Sequence, residues 1–309
     1  MKFAGIDVAK NKLDVVITGI KAFKVVYTDG GLSNLVERLK EHGVTLVVLE
    51  ASGGYERGVE QALRNADLPV AIINPTWIRN FARSYGHLEK TDIIDASVLE
   101  RFARERTPPP TPPLSEQQRR LKALVRRRDQ LKQELVREKN RLKHPFLSEL
   151  EAASIDRMIE MLQREIKTLE ADIATLMEHE SVTAKANRLT SVPGIGVITA
   201  AILIAELPEL GTLNDKQIAK LAGLAPLPHD SGKSTGQRSI RAGRELPRRS
   251  LFMAAFNGVR NNPVLKKYYA AMKSRGKHSQ VALVATAHKL LTILNAMEKK
   301  QEDWQTSPA

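Results

Sequence analysis

Four carboxylates define the chemistry open to this chain: Asp7, Glu50, Asp92 and Asp95, in the motifs GIDVAKNKLDV, LEASGGYE and KTDIIDA. Each falls at the end of an expected strand or on one face of an expected helix, and carboxylates placed that way converge on a divalent cation. Hard oxygen ligands, in a chain with no cysteine and no HExxH motif, point to magnesium or manganese rather than zinc. Magnesium held by carboxylates is the usual metal of phosphodiester chemistry, where it stabilises attacking and leaving oxygens. Taken singly, each acid has a plainer role. Asp7 suits a turn, Asp92 after Thr91 suits a helix N-cap, and Glu50 suits a cap on the Ser52-Gly53-Gly54 turn. The metal reading comes from their conjunction.

The elements that must position these acids are legible in the period of apolar residues. KFAGID reads as a strand, VAKNK as a turn and LDVVITG as a second strand. A helix near Leu32 to His42 precedes TLVVLE, an apolar run suited to a strand buried on both faces, with Glu50 at its carboxyl end. That end is where open α/β sheets gather ligands. A helix over Glu56 to Asn65, a strand over Pro69 to Ile73 and a helix over Asp92 to Arg106 complete the unit, and three-residue spacing puts Asp92 and Asp95 on one helical face. Three strands followed by alternating helix and strand fit a ribonuclease-H-like sheet of mixed direction. The run TPPPTPP cannot continue a helix, so residues 1–107 form a first domain and 108–114 a stiff linker.

Beyond the linker the chain is helical and its charge is uneven. The net charge is +13; residues 1–107 hold 15 basic and 14 acidic side chains, 108–145 hold 11 and 4, 146–230 hold 7 and 13, and 231–309 hold 15 and 4. Two separate basic blocks point to a polyphosphate partner, and nucleic acid suits them better than a membrane because they lack the Trp and Phe of an interfacial helix. Ser115 to Lys143 carries a leucine stripe with Arg126, Arg127, Arg128, Lys139 and Arg141 among its basic residues. Ile155 to Met177 carries a matching heptad-like seam, so residues 115–180 read as a coiled-coil hairpin or a dimerising coiled coil.

Two further motifs occupy residues 181–309. SVPGIGVITA places Pro193, Gly194 and Gly196 between two helices, as in a helix-hairpin-helix whose backbone amides approach a phosphate; a tight helix-helix turn is the plainer alternative. DSGKSTGQRSIRAGRELPRR gathers Lys233, Arg238, Arg241 and Arg244 around Ser231, Ser234, Thr235 and Ser239. Hydroxyls ringed by guanidinium groups make a phosphate site, and a deprotonated serine attacks phosphorus. Composition leaves open whether the loop only clamps phosphate. His288, on an apolar helix, reads as a core or cap residue.

With these motifs together, the chain closely resembles the DEDD insertion-sequence transposases, the bacterial family that includes the pilin-gene invertases and the bridge-RNA-guided recombinases. The resemblance runs through GIDVAKNKLDV, LEASGGYE, KTDIIDA, EKNRLKH, SVPGIGVITA, LAGLAP with DSGKSTGQRSIRAGR, and ALVATAHKLLTILNAM, which is nearly the whole chain. It implies an α/β plus α architecture: a RuvC-like mixed sheet, a helical coiled-coil insertion and a mainly helical C-terminal domain. It further implies that Asp7, Glu50, Asp92 and Asp95 are the catalytic metal ligands, that Ser231 is the nucleophile, and that DNA is cut through a phosphoserine bond assisted by Mg2+ or Mn2+ from another protomer. Donor and target DNA, a structured noncoding guide RNA and a homo-oligomer, dimer or tetramer, are the implied partners.

The remaining composition narrows the classes. Without cysteine there are no disulfides or thiolate metal sites, no apolar run approaches about 20 residues, and the N-terminus lacks a signal-peptide pattern, so a soluble cytoplasmic protein acting on the nucleoid is expected. The main rival is a metal-dependent junction nuclease that hydrolyses with water and needs no serine. An actin-like ATPase would need a second Asp-Gly phosphate loop, and a non-catalytic binder would need no metal.

Overall fold

The computed structural model describes residues 1–305 except 52, 86–91, 228, 229, 232, 233, 236–238, 241 and 242, and for 92–94, 227, 230, 231, 234, 235 and 239 it describes the backbone only. The chain forms two compact units, Met1–Pro113 and Leu114–Ala309.

The first unit runs β1 (Lys2–Val8), β2 (Lys12–Ile17), β3 (Phe23–Val26), α1 (Asp29–Glu41), β4 (Val44–Glu50), α2 (Glu56–Asn65), β5 (Val70–Ile73), α3 (Pro75–Ser84) and α4 (Asp92–Arg106). Its five strands lie in the order β3-β2-β1-β4-β5. The β1–β2 and β2–β3 pairs are antiparallel, the β1–β4 and β4–β5 pairs parallel, which is the mixed sheet that the element order implies. Because side chains alternate across a strand, β1, β4 and β5 feed two cores. Ala4, Ile6, Val47 and Leu49 pack with Leu35, Leu39, Val59 and Leu63 of α1 and α2. Phe3, Leu46 and Val48 pack with Ile78 and Phe81 of α3 and Val98, Leu99, Phe102 and Ala103 of α4. Helix α3 is an element that apolar periodicity does not announce, but Asn74 caps it by accepting from the Thr76 amide at 2.8 Å and Pro75 fills its first position.

The proline-rich segment is more than a spacer. Thr111 donates its amide to the Val70 carbonyl at 2.8 Å, accepts the Ile72 amide on Oγ1 at 2.9 Å, and its carbonyl accepts from Arg64 at 2.6 Å. These bonds satisfy the outer edge of β5, so the first unit ends at Pro113 rather than at residue 107.

The second unit comprises α5 (Glu116–Arg141), α6 (Glu149–Met177), α7 (Glu180–Thr190), α8 (Val197–Glu206), α9 (Asp215–Leu221), the two-residue strands β6 (Pro226–Leu227), β7 (Asp230–Ser231), β8 (Ser234–Thr235) and β9 (Ser239–Ile240), then α10 (Glu245–Asn261), α11 (Pro263–Ser274) and α12 (Ser279–Lys300). Capping boxes begin α5 at Ser115 and α6 at Ser148. Leu131 and Leu135 of α5 meet Ile159, Leu162, Ile166 and Leu169 of α6 in a core of their own. At its base the hairpin does not stand apart as a separate domain 115–180: Leu121, Val125, Ile173 and Met177 enter the main helical core with α7, α8, α10 and α12. Helix α12 is long and apolar enough, by length and composition, to cross a membrane, contrary to the expectation that no segment is. Here Ala287, Leu290, Leu291 and Leu294 of α12 lie in that helical core, and a buried core helix passes the same test of composition.

Candidate active site

Asp7 and Glu50 are brought together by strand register. Ile6 pairs with Leu49 across the parallel β1–β4 ladder, so the next step places Asp7 beside Glu50 at the carboxyl ends of neighbouring strands. Ile6 and Leu49 point into the core under α1 and α2; alternation therefore turns Asp7 and Glu50 to the face covered by α3 and α4. Both are half-buried. The turn after Glu50 is closed by Glu56, whose Oε2 accepts from the Gly54 amide at 2.7 Å.

Helix α4, which holds Asp92 and Asp95 in its first turn, packs against β1. A Cβ on Gly5 would lie 2.2 Å from the Glu100 amide nitrogen and 2.4 Å from the Ala96 carbonyl oxygen, so α4 rests directly on the β1 backbone there. A glycine inside a strand marks such an approach. Nearer the start of the strand, Phe3 shares Thr18 with α4: the Thr18 amide donates to the Phe3 carbonyl at 3.0 Å, and Thr18 Oγ1 donates to Glu100 Oε1 at 2.6 Å. Going up β1 from Phe3 through Gly5 therefore means going down α4 from Glu100 to Ala96. Two more strand residues, about 6.8 Å, reach Asp7, and one more helical turn, about 5.4 Å, reaches the start of α4, where Asp92 and Asp95 stand. Asp95 is half-buried, and Asp92 heads the helix with its side chain outside the described atoms. The fold thus sets Asp7 beside Glu50 and packs α4 against β1. Among the described residues no three His, Cys, Asp or Glu side chains form a group that could hold a metal ion, Asp7, Glu50 and Asp95 included. Oxygen-only donors on two strand ends and one helix start fit a hard divalent cation.

The motif GIDVAKNKLDV also holds Gly5 and Asp14, whose roles only the fold shows; a glycine inside a strand marks a close approach. Asp14 lies directly across from Asp7 in the β1–β2 pair and is buried.

The second unit sorts the basic residues by their partners. Arg126 reaches Glu206 at 2.6 Å, Arg128 reaches Glu170 at 2.5 Å, and Arg244 grips Glu209 at 2.6 and 2.7 Å while donating to the Glu206 carbonyl at 2.7 Å. These three serve the helical core as ion pairs. Arg127 and Lys139 are exposed, and Arg141 is exposed with Glu138 as its neighbour one turn back. Gly194, at φ 106°, abuts α10: a Cβ there would lie 2.7 Å from Gly258 Cα, so this glycine serves close helix packing. Gly196 is the N-cap of α8, exposed and with open space where a Cβ would stand, and the Pro193 carbonyl accepts from Asn262 at 3.4 Å.

Ser231 ends the short strand β7, where its backbone pairs with Ser234 of β8, and the stretch continues into β9, which pairs with β6. The expected extended segment is thus a pair of small two-stranded ribbons. Lys233, Arg238 and Arg241 lie outside the described residues. Partial burial holds the half-buried His288 imidazole below its ordinary range.

Two family models match stretches of this chain. A DEDD transposase family model matches residues 4–150, and a model described as transposase of the IS116/IS110/IS902 family matches 186–270. The pilin gene-inverting protein of Moraxella bovis is 29% identical over 96% of this chain and 95% of its own length. The transposase for insertion sequence element IS1328 of Yersinia enterocolitica is 28% identical over 60% of this chain and 63% of its own. Among solved structures, Thermus thermophilus RuvC aligns with 36% of this chain and 100% of its own at 17% identity and a TM-score of 0.29. With family matches on both units and a curated relative along nearly its whole length, the chain is an enzyme that acts on DNA and belongs to the IS110 family of insertion-element transposases.

Proposed function

We propose that the chain cuts and rejoins DNA at the ends of an insertion element through a covalent bond to Ser231, assisted by a divalent cation, Mg2+ or Mn2+, held by Asp7, Glu50, Asp92 and Asp95. The metal part is supported by the β1–β4 register, which sets Asp7 beside Glu50, and by the packing of α4, the helix that begins at Asp92, on Gly5 of β1. When bound, the ion withdraws charge from the scissile phosphate and stabilises the oxygens entering and leaving it. The four acids hold and orient it. Their mutual repulsion is relieved only by positive charge, which favours the metal-bound arrangement.

In the strand-cutting step, Ser231 Oγ forms a bond to phosphorus while the bond from phosphorus to one sugar oxygen breaks; the serine gives up its proton and the released oxygen gains one. The phosphoserine ester conserves the energy of the broken bond, so rejoining needs no nucleotide cofactor. A role in site-specific recombination is supported by the relative named for pilin gene inversion. The basic blocks, 11 against 4 acidic in residues 108–145 and 15 against 4 in 231–309, support a nucleic-acid partner. On the family resemblance, a structured noncoding RNA pairs with donor and target, the hairpin of α5 and α6 joins copies into a dimer or tetramer, the α7–α8 turn contacts phosphate, and the enzyme works on the nucleoid in the cytoplasm.

Trapping on a denaturing gel tests the covalent step. Wild-type protein with Mg2+ and element-end DNA gives a protein–DNA adduct, Ser231→Ala gives none, and Ser234→Ala retains it. Free DNA ends without any adduct would mean hydrolysis by water, the junction-nuclease route.

A further inference from the structure

The row of residues at the level of Asp7 continues past the acidic site. Asp14 of β2 pairs with Asp7 on one side and with Lys24 of β3 on the other. Asp14 is only 2% exposed. Lys12 Nζ lies 3.3 Å from its Oδ2 and Lys24 Nζ 3.9 Å from its Oδ1, and among the described residues neither oxygen receives a hydrogen bond. Charge rather than hydrogen bonding therefore compensates this carboxylate. The lysine side chains are 41% and 60% exposed, so both reach solvent while standing near the Asp14 carboxylate. The plain account of Lys24 is that it guards an edge strand against pairing with another chain. A guard lysine works best reaching into solvent, and needs no buried acid behind it.

We propose that Asp14 is a positioning residue that holds Lys12 and Lys24 as a two-point clamp on phosphates of the DNA strand lying across the acidic site. The proposal rests on the reading of Asp7 and its partners as that site. Four carboxylates at the sheet edge repel a polyanion, and a strand can lie there only if positive charge stands beside them. Lysine is a compact point charge suited to single phosphate oxygens. Holding both lysines in place beforehand reduces the side-chain entropy lost when DNA binds. Acid, lysine and lysine sit on one side of Asp7, so they would engage the strand beside the scissile phosphate rather than the phosphate itself.

The test is binding of the full chain to a fluorescent element-end DNA duplex in EDTA over a salt series, so that no metal enters. Lys12→Gln and Lys24→Gln are each expected to reduce the slope of log affinity against log salt by about 1. Asp14→Asn raises the net positive charge, which alone tightens DNA binding; the clamp predicts weaker binding instead. Tighter or unchanged binding by a folded Asp14→Asn protein overturns the proposal, as do lysine variants with the wild-type slope, or losses seen with an RNA hairpin and not with DNA. If Asp14→Asn fails to fold, the two lysine slopes decide. A cleavage-competent Asp7→Asn protein would overturn the acidic-site reading separately, since these slopes are read without metal.

Discussion

Gly5 and Ala96 meet backbone to backbone: a methyl group on Gly5 would lie 2.4 Å from the Ala96 carbonyl oxygen and closer still to the Glu100 amide. This one contact sets the height at which α4 crosses β1, and so, on the proposed reading of the site, how far Asp92 and Asp95 stand from Asp7. Neither neighbour is a flexible side-chain end that can swing away. Gly5→Ala therefore lifts the helix, at a cost of about 1–3 kcal/mol of stability for the overpacking. A displacement of about 1 Å is enough to lower strand cleavage by about 100-fold. Thermal unfolding and a cleavage assay on the same protein check both. Wild-type cleavage by the variant would separate α4 from the chemistry.

Two neighbouring arginines should behave differently. Arg126 pairs with Glu206, whose side chain is 9% exposed, whereas Arg127 is exposed and donates to Gln130 at 3.4 Å. Arg126→Ala leaves a nearly buried carboxylate without this guanidinium and is expected to cost about 1–3 kcal/mol in denaturant unfolding. Arg127→Ala should change stability by less than about 0.5 kcal/mol yet weaken DNA binding and lower its salt slope by about 1. Equal stability effects would contradict this division.

His288 gives the second unit a pH dependence with a definite sign. Burial pushes its pKa below 6.5, with nearby Lys289 pushing the same way and Asp215 opposing. The folded state therefore favours the neutral ring, and below pH 6.5 the unfolded chain binds a proton that the folded chain resists. Stability from this group is complete above 6.5 and is lost as pH falls toward the lowered folded value, at up to about 1.4 kcal/mol per pH unit inside that window. His288→Leu should flatten the fall between pH 6.5 and 5 in a denaturant series. An unchanged slope would place the titrating group elsewhere.

Much of this architecture is written in local pattern. The β-branched run ending at Glu50 and the helix from Asp92 to Arg106 follow from residue type and period, because each buries a continuous apolar surface. What pattern could not give depends on packing between elements. Arg126, Arg128 and Arg244 look like surface cations in a basic block until Glu206, Glu170 and Glu209, far away in sequence, come to meet them. Gly194 reads as part of a phosphate-approach loop, and only the fold shows that it also packs against Gly258 of α10. Asp14 looks like a polar position in an alternating strand, and only the cross-strand pairing reveals it between Asp7 and Lys24. Short-range sequence shows which residues can do chemistry, and long-range contacts decide which of them are occupied with holding the fold.

The central claim is that carboxylates delivered to one sheet edge hold the ion that cuts DNA. Single-turnover cleavage of element-end DNA against Mg2+ concentration, by wild-type and Asp7→Asn proteins of equal thermal stability, tests it most directly. Losing several kcal/mol of transition-state stabilisation corresponds to a fall of about a thousandfold, so Asp7→Asn should be slower by that order and no longer respond to added Mg2+. An Asp7→Asn protein that folds, cuts at the wild-type rate and keeps the wild-type Mg2+ dependence would contradict the account.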